Sequence, residues 1–192
     1  MSTKKLGFAL CGSFCTLERT LQTMEELAAQ GWEIQPIMSP ITYRTDTRFG
    51  TAEQWRSRVE SLCGRPIWHT IPQVEPIGPR ALLDLLLVAP CTGNTLGKLA
   101  CGITDTPVTM AVKAHLRNLR PVVLAVSTND GLGASARNIG TLLNCRNFYF
   151  VPFAQDDSLH KEASLVADLS RTQETLLAAL QGRQLQPLLL QK

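Results

Sequence analysis

Short apolar segments alternate with longer amphipathic segments along most of the chain. Five short segments are predicted strands of a parallel sheet: residues 6–11, 34–38, 85–89, 122–126 and 148–151. All except 34–38, which contains Gln35, are continuous apolar runs, typical of strands buried on both faces. Apolar residues recur at helical spacing in six further segments: 17–30, 51–63, 95–100, 106–119, 133–144 and 172–180. This alternation predicts an α/β fold, a Rossmann-like doubly wound open parallel sheet in a three-layer α/β/α arrangement.

Several residues are typical of helix ends. Thr51 and Gln54 form the spacing of a capping box, and Thr106 followed by Pro107 is typical of a helix start. Gly31 and Gly102 stand where two helices are expected to end. Residues 64–80 contain four prolines and are predicted to form an extended connection.

The composition is that of one globular domain over residues 1–192. Hydrophobic residues make up 44% and charged residues 18%, which excludes a disordered chain, and a net charge of +3 is too weak to indicate nucleic acid. The basic N-terminus precedes an apolar run too short for a signal peptide, and residues 82–90 are too short to span a membrane. We therefore expect a cytoplasmic protein with free thiols and no metal site. Three alternatives stay open for the leucine-rich tail, 183–192: loose packing, an apolar contact surface between subunits, or packing on its own domain.

Polar loops follow four of the predicted strands. They are Gly12–Thr16, Ser39–Thr42, Pro90–Thr95 and Ser127–Asp130. Hydroxyl and amide groups at the carboxyl edge of such a sheet favour a phosphate or nucleotide over a metal, although each loop alone is also a common helix cap. The first loop lacks the full GxGxxG pattern, which argues against a standard NAD site.

The Pro90–Thr95 loop carries the most specific side chains. Thr95 is placed to cap the next helix, and Asn94 offers a donor and an acceptor to a planar ring. Two interpretations of Cys91 stay open: a reactive thiol near a helix N-terminus, or a buried inert thiol.

The stretch from Pro90 to Asp105 resembles the flavoprotein family of small FMN-binding proteins, which includes cysteine decarboxylases and flavin prenyltransferases. Gly12-Ser13 and Ser39 match other FMN-contacting segments of that family. The resemblance implies bound FMN, with Asn94 and Cys91 at the ring face. The implied FMN contacts are Gly12, Ser13, Phe14, Ser39, Cys91, Thr92, Asn94, Thr95 and Ser127.

Further stretches are similar to one branch of that family, the dipicolinate synthase B subunits of endospore-forming bacteria: 75–79, 114–118, 127–130, 138–140 and 149–157. This branch implies an NAD(P)-binding A subunit as partner and oxidation of dihydrodipicolinate to dipicolinate in the mother-cell cytoplasm. It also implies a homo-oligomer, a trimer or larger. A dicarboxylate substrate requires cations, and Arg117, Arg137 and Lys98 are the candidates.

One departure separates this chain from the decarboxylases. Their catalytic histidine precedes the Asn-Thr loop by about one strand, where this chain has Glu75-Pro-Ile-Gly78, and His69 comes several residues too early. Three functions stay open: a flavin-dependent oxidoreductase subunit, a non-catalytic subunit that binds substrate or nucleotide, and, least favoured, a cysteine decarboxylase.

Overall fold

The computed structural model describes residues 4–191, so Met1–Thr3, at the start of the basic N-terminus, lie outside it. In chain order the strands and α helices of this part are β1 Lys5–Leu10, α1 Leu17–Ala29, β2 Glu33–Met38, α2 Pro40–Arg44, α3 Ala52–Cys63, α4 Ile71–Val74, β3 Leu85–Cys91, α5 Gly93–Ala100, α6 Pro107–Leu116, β4 Val122–Thr128, α7 Ala134–Leu143, β5 Phe148–Phe150, β6 Phe153–Asp157, β7 Lys161–Ala167 and α8 Thr172–Leu180. This succession confirms the α/β class.

One sheet joins these strands in the order β2-β1-β3-β4-β7-β6, and β5 also pairs with β4. Strands β1 to β5 are parallel, whereas β6 and β7 form an antiparallel hairpin. Every residue of β3 is buried, because helices cover both faces of the central strands. The sheet is therefore the predicted Rossmann-like sheet with an antiparallel extension.

The hairpin is the main difference from the sequence expectation. Strand β5 pairs with residues 122–124 of β4, while β7 pairs with Ser127 and Thr128 at the end of the same strand. Neither hairpin strand is a continuous apolar run, since both carry exposed polar residues, and hydrophobic periodicity alone did not reveal them.

The helix ends predicted from capping residues and terminal glycines are confirmed. Thr51 and Gln54 form the reciprocal capping box of α3, and Thr106 caps α6 with Pro107 at its first turn. Gly31 and Gly102 adopt φ values of +88° and +69° directly after α1 and α5, the left-handed region that glycine tolerates best.

Two connecting segments are more ordered than the sequence indicated. The proline-rich connection contains α4 and a 3-10 turn at residues 75–77, and Pro72 and Pro76 lie in their first turns, where a missing N–H does no harm. In the tail, the backbone N–H of Leu190 donates to the carbonyl of Phe153 at 3.0 Å. The tail thus packs against its own domain.

No helix within residues 4–191 is long and apolar enough to cross a bilayer.

Candidate functional site

The loops after β1, β3 and β4 meet at the carboxyl edge of the sheet. The hydroxyl oxygens of Ser13 and Ser127 lie 2.9 Å apart, although 114 residues separate them in the chain. Thr92 caps α5 by accepting the N–H of Thr95 at 3.3 Å, so this helix begins two residues before the predicted start. The expected convergence of polar loops therefore occurs for these three loops.

Gly93 lets the β3 and β4 loops approach each other closely. A Cβ at this position would lie 2.6 Å from Oγ1 of Thr128, 2.7 Å from Oδ1 of Asp130 and 2.8 Å from Oγ of Ser135. Asp130 accepts hydrogen bonds from Thr128 and Ser135, which hold the pKa of its carboxyl below the ordinary value despite partial burial. Only glycine fits here without displacing this polar cluster.

A cleft of about 600 Å³ opens beside these loops. The β6–β7 hairpin forms one wall and the loop before α3 forms another, and the polar strand ends lie between them. Its lining residues are Gly12, Ser13, Phe14, Cys15, Thr16, Arg19, Arg48, Phe49, Thr92, Gly93, Ser127, Thr128, Asn129, Asp156, Lys161, Ser164, Leu165 and Val166. The volume lies in the range of roughly 300–1,000 Å³ that is usual for cofactor and ligand sites.

Five of the nine predicted FMN contacts line this cleft: Gly12, Ser13, Phe14, Thr92 and Ser127. The other four do not. Ser39 is buried as the N-cap of α2, Thr95 is buried with its hydroxyl 3.3 Å from Sγ of Cys11, and Asn94 is exposed on α5.

Cys91 is also outside the lining, at the buried end of β3. Burial, and then the nearby Cys11 thiol, raise the pKa of Cys91 well above its ordinary value. The burial of Cys91 and its raised pKa therefore favour the inert alternative for this residue. The family resemblance implies Cys91 and Asn94 at the ring face, but neither residue lines the cleft.

Residues 1–151 match the model of the Flavoprotein family. The chain belongs to this family. It is 43% identical over 188 residues to the B subunit of dipicolinate synthase of Bacillus subtilis (strain 168), covering 98% of this chain and 94% of the relative.

Two solved structures resemble this flavoprotein, with different degrees of sequence identity and structural similarity. The crystal structure of the dipicolinate synthase B subunit from Bacillus halodurans C superposes with a TM-score of 0.91 and 42% identity, covering 100% of both chains. The FMN-dependent cysteine decarboxylase SpaF superposes with a TM-score of 0.69 and 21% identity, over 93% of this chain and 97% of that one. The flavoprotein is therefore a homologue of dipicolinate synthase B subunits, and its likeness to SpaF is one of fold.

The cations predicted to meet a substrate are not in the cleft. Lys98 forms an ion pair with Asp105, with Nζ 2.8 Å from Oδ1. Arg117 follows α6 and lines a separate groove beside Arg80, which shares no lining residue with the cleft. Arg137 is exposed on α7 and does not line the cleft either. The geometry of the cleft therefore does not support the assignment of these three cations to substrate binding.

Five chemically important lining residues were missed: Cys15, Arg19, Arg48, Asp156 and Lys161. Lys161 belongs to the unpredicted hairpin, and Arg48 lies in an irregular loop. Cys15 and Arg19 lie at the end of the first polar loop and just after it, so their position near the strand edge was a usable signal.

The three histidines lie elsewhere. His69 stacks on Tyr43 with ring centroids 3.9 Å apart, and His160 is exposed in the β6–β7 turn. His115 is buried on α6, and this burial lowers its pKa to about 4. Among the residues that line the cleft, none is a histidine available for acid–base catalysis.

Proposed function

We propose that this flavoprotein is the B subunit of a dipicolinate synthase and that it holds FMN in the cleft. With an NAD(P)-binding A subunit it oxidises dihydrodipicolinate to dipicolinate. One observation carries the proposal: a hydroxyl-lined cleft of ligand size lies at the carboxyl edge of the sheet. The chain that forms it is 43% identical to a dipicolinate synthase B subunit.

The described residues fit a flavin mononucleotide. Hydroxyl groups of Ser13, Thr92 and Ser127 and the N-terminal end of α5 offer donors to a phosphate or to ring heteroatoms. The missing Cβ at Gly93 lets Thr128, Asp130 and Ser135 lie directly against the first turn of α5, beside these donors. No acidic side chain other than Asp156 lines the cleft in residues 4–191, so an anionic cofactor meets little repulsion.

The reaction removes two hydrogens from the dihydropyridine ring, one as a hydride and one as a proton, and the ring becomes aromatic. An FMN held by the hydroxyl-bearing residues Ser13, Thr92 and Ser127 would supply the two-electron acceptor, with NAD(P) on the A subunit as the final oxidant in this proposal. Asp156, the carboxylate in the lining, is the acceptor that we assign to the proton. The neighbouring Lys161, 2.7 Å away, holds this carboxylate at the wall.

We further infer a homo-oligomer, a trimer or larger, in the mother-cell cytoplasm of a spore-forming bacterium. This inference rests on membership of the Flavoprotein family. Light scattering at micromolar concentration tests the assembly, and a monodisperse monomer contradicts it.

The cofactor is tested by titrating the protein with FMN and following the flavin absorption and fluorescence. Thiol labelling with peptide mapping supplies a second readout, because Cys15 lines the cleft whereas the exposed Cys101 and Cys145 do not. We expect FMN to slow labelling of Cys15 and to leave the other two unchanged. Absence of any FMN affinity, alone or with the A subunit, contradicts the flavin proposal and favours a non-catalytic subunit.

A further inference from the structure

The walls of the cleft carry an excess of positive charge. Arg19 lies in the first turn of α1, Arg48 in the loop before α3, and Lys161 at the start of β7. Lys161 is neutralised by Asp156 at 2.7 Å. Neither Arg19 nor Arg48 forms a salt bridge with any residue in 4–191. Because Asp156 balances only Lys161, the two guanidinium charges remain available to a ligand.

Hydrogen bonds at both ends hold the loop that carries Arg48. Thr47 and Gly50 exchange backbone hydrogen bonds of 3.0 and 3.1 Å, so Arg48 and Phe49 form the tip of a tight hairpin. Asp46 fastens this hairpin to α3 by accepting the N–H of Ala52 at 2.8 Å. A tip fixed in this way loses little entropy when it meets a ligand.

The tip also offers an aromatic surface. The guanidinium carbon of Arg48 lies 4.8 Å from the ring centroid of Phe49, which remains 43% exposed and lines the cleft. A planar aromatic ring can stack on Phe49, and a guanidinium binds a carboxylate through two parallel hydrogen bonds.

We propose that Arg48 and Phe49, with Arg19 contributing the second charge, form a recognition site for a small planar aromatic dicarboxylate. Two available guanidinium groups match the two carboxylates of such a ligand, and a mono-acid leaves one of them without a partner. The inference rests on the proposed function for the location of the site, and it assigns substrate recognition to residues other than Arg117, Arg137 and Lys98.

Calorimetric titration with pyridine-2,6-dicarboxylate tests this site, first in the FMN-loaded protein and then in the flavin-free protein. We expect Arg48→Gln to weaken dicarboxylate binding by about 10–100-fold, as for loss of a charge-assisted hydrogen-bond pair. Arg146→Gln, which removes an exposed charge outside the cleft, is the matched control and is expected to change the affinity by less than about twofold. Pyridine-2-carboxylate is expected to lose less affinity than the dicarboxylate in the Arg48 variant.

Parallel FMN titrations separate a carboxylate site from a site for the cofactor phosphate, which has the same chemistry. If Arg48→Gln weakens FMN binding and leaves dicarboxylate binding intact, the guanidinium holds the cofactor and the proposal is overturned. Equal dicarboxylate affinity in wild type and both variants also overturns it. Because the flavin-free titration measures the dicarboxylate site directly, a chain that binds dicarboxylate but no FMN would refute only the flavin part of the proposed function.

Discussion

Substituting Gly93 by alanine perturbs the closest approach in the candidate site. The added methyl group would lie 2.6–2.8 Å from three oxygens, on Thr128, Asp130 and Ser135, each inside ordinary van der Waals distance. Overpacking of this kind costs about 1–3 kcal/mol. The higher helix propensity of alanine offsets at most about 1 kcal/mol of this cost, since the residue is at the first turn of α5.

We therefore expect Gly93→Ala to lower the free energy of unfolding by about 1–2 kcal/mol. With the slope usual for small proteins, this is a drop of roughly 0.5–1 M in the urea midpoint. Gly97→Ala is a matched control on the same helix, because its Cβ would lie 3.4 Å from the side-chain amide nitrogen of Asn138. This variant is expected to raise stability by about 0.5–1 kcal/mol.

FMN titration of the same variants links the packing to the site. Displacement of the β4 loop in Gly93→Ala is expected to weaken FMN binding, whereas Gly97→Ala leaves it unchanged. Thr128→Ala removes the nearest oxygen, so the double variant is expected to lose less stability than the two single variants together. If Gly93→Ala is as stable as Gly97→Ala and binds FMN like wild type, the close approach has no energetic consequence and the predicted clash is refuted.

Three further predictions concern other residues. Burial lowers the pKa of His115 from 6.5 to about 4. Between these pH values the unfolded chain therefore binds more protons than the folded protein. The free energy of unfolding is expected to fall by up to about 3 kcal/mol as the pH decreases from 6.5 to 4. His115→Gln is expected to flatten this pH dependence of the urea midpoint, and His160→Gln, exposed in a turn, to preserve it. Thr51→Ala removes the cap of α3 and is expected to cost about 1 kcal/mol in thermal unfolding, so an unchanged melting temperature would contradict the cap. Lys98→Gln is expected to leave dicarboxylate affinity unchanged, because Lys98 is engaged by Asp105, and a loss of about tenfold would return it to the site.

Local patterns determined a large part of the fold. Helix α8 has the predicted bounds, and the capping boxes and terminal glycines of α1, α3 and α6 act within one turn of chain. Strands buried on both faces favour continuous apolar runs, so β1, β3 and β4 were recognisable from the order of residues alone. The β6–β7 hairpin was not, since it is half-exposed and pairs only with the last residues of β4.

For the candidate site too, some features could be predicted from the sequence and others could not. The order of residues was enough to predict polar loops after β1, β3 and β4, and these loops meet because the carboxyl ends of parallel strands share one edge. It determined neither which side chains enter the cleft nor which stay buried, as Cys91 and Thr95 do. Arg48 and Lys161 reach the cleft from segments distant in the chain. Such contacts follow from how the loops pack across the sheet edge in the folded protein. No short-range pattern of residues encodes the distance between side chains on loops that are far apart in the chain.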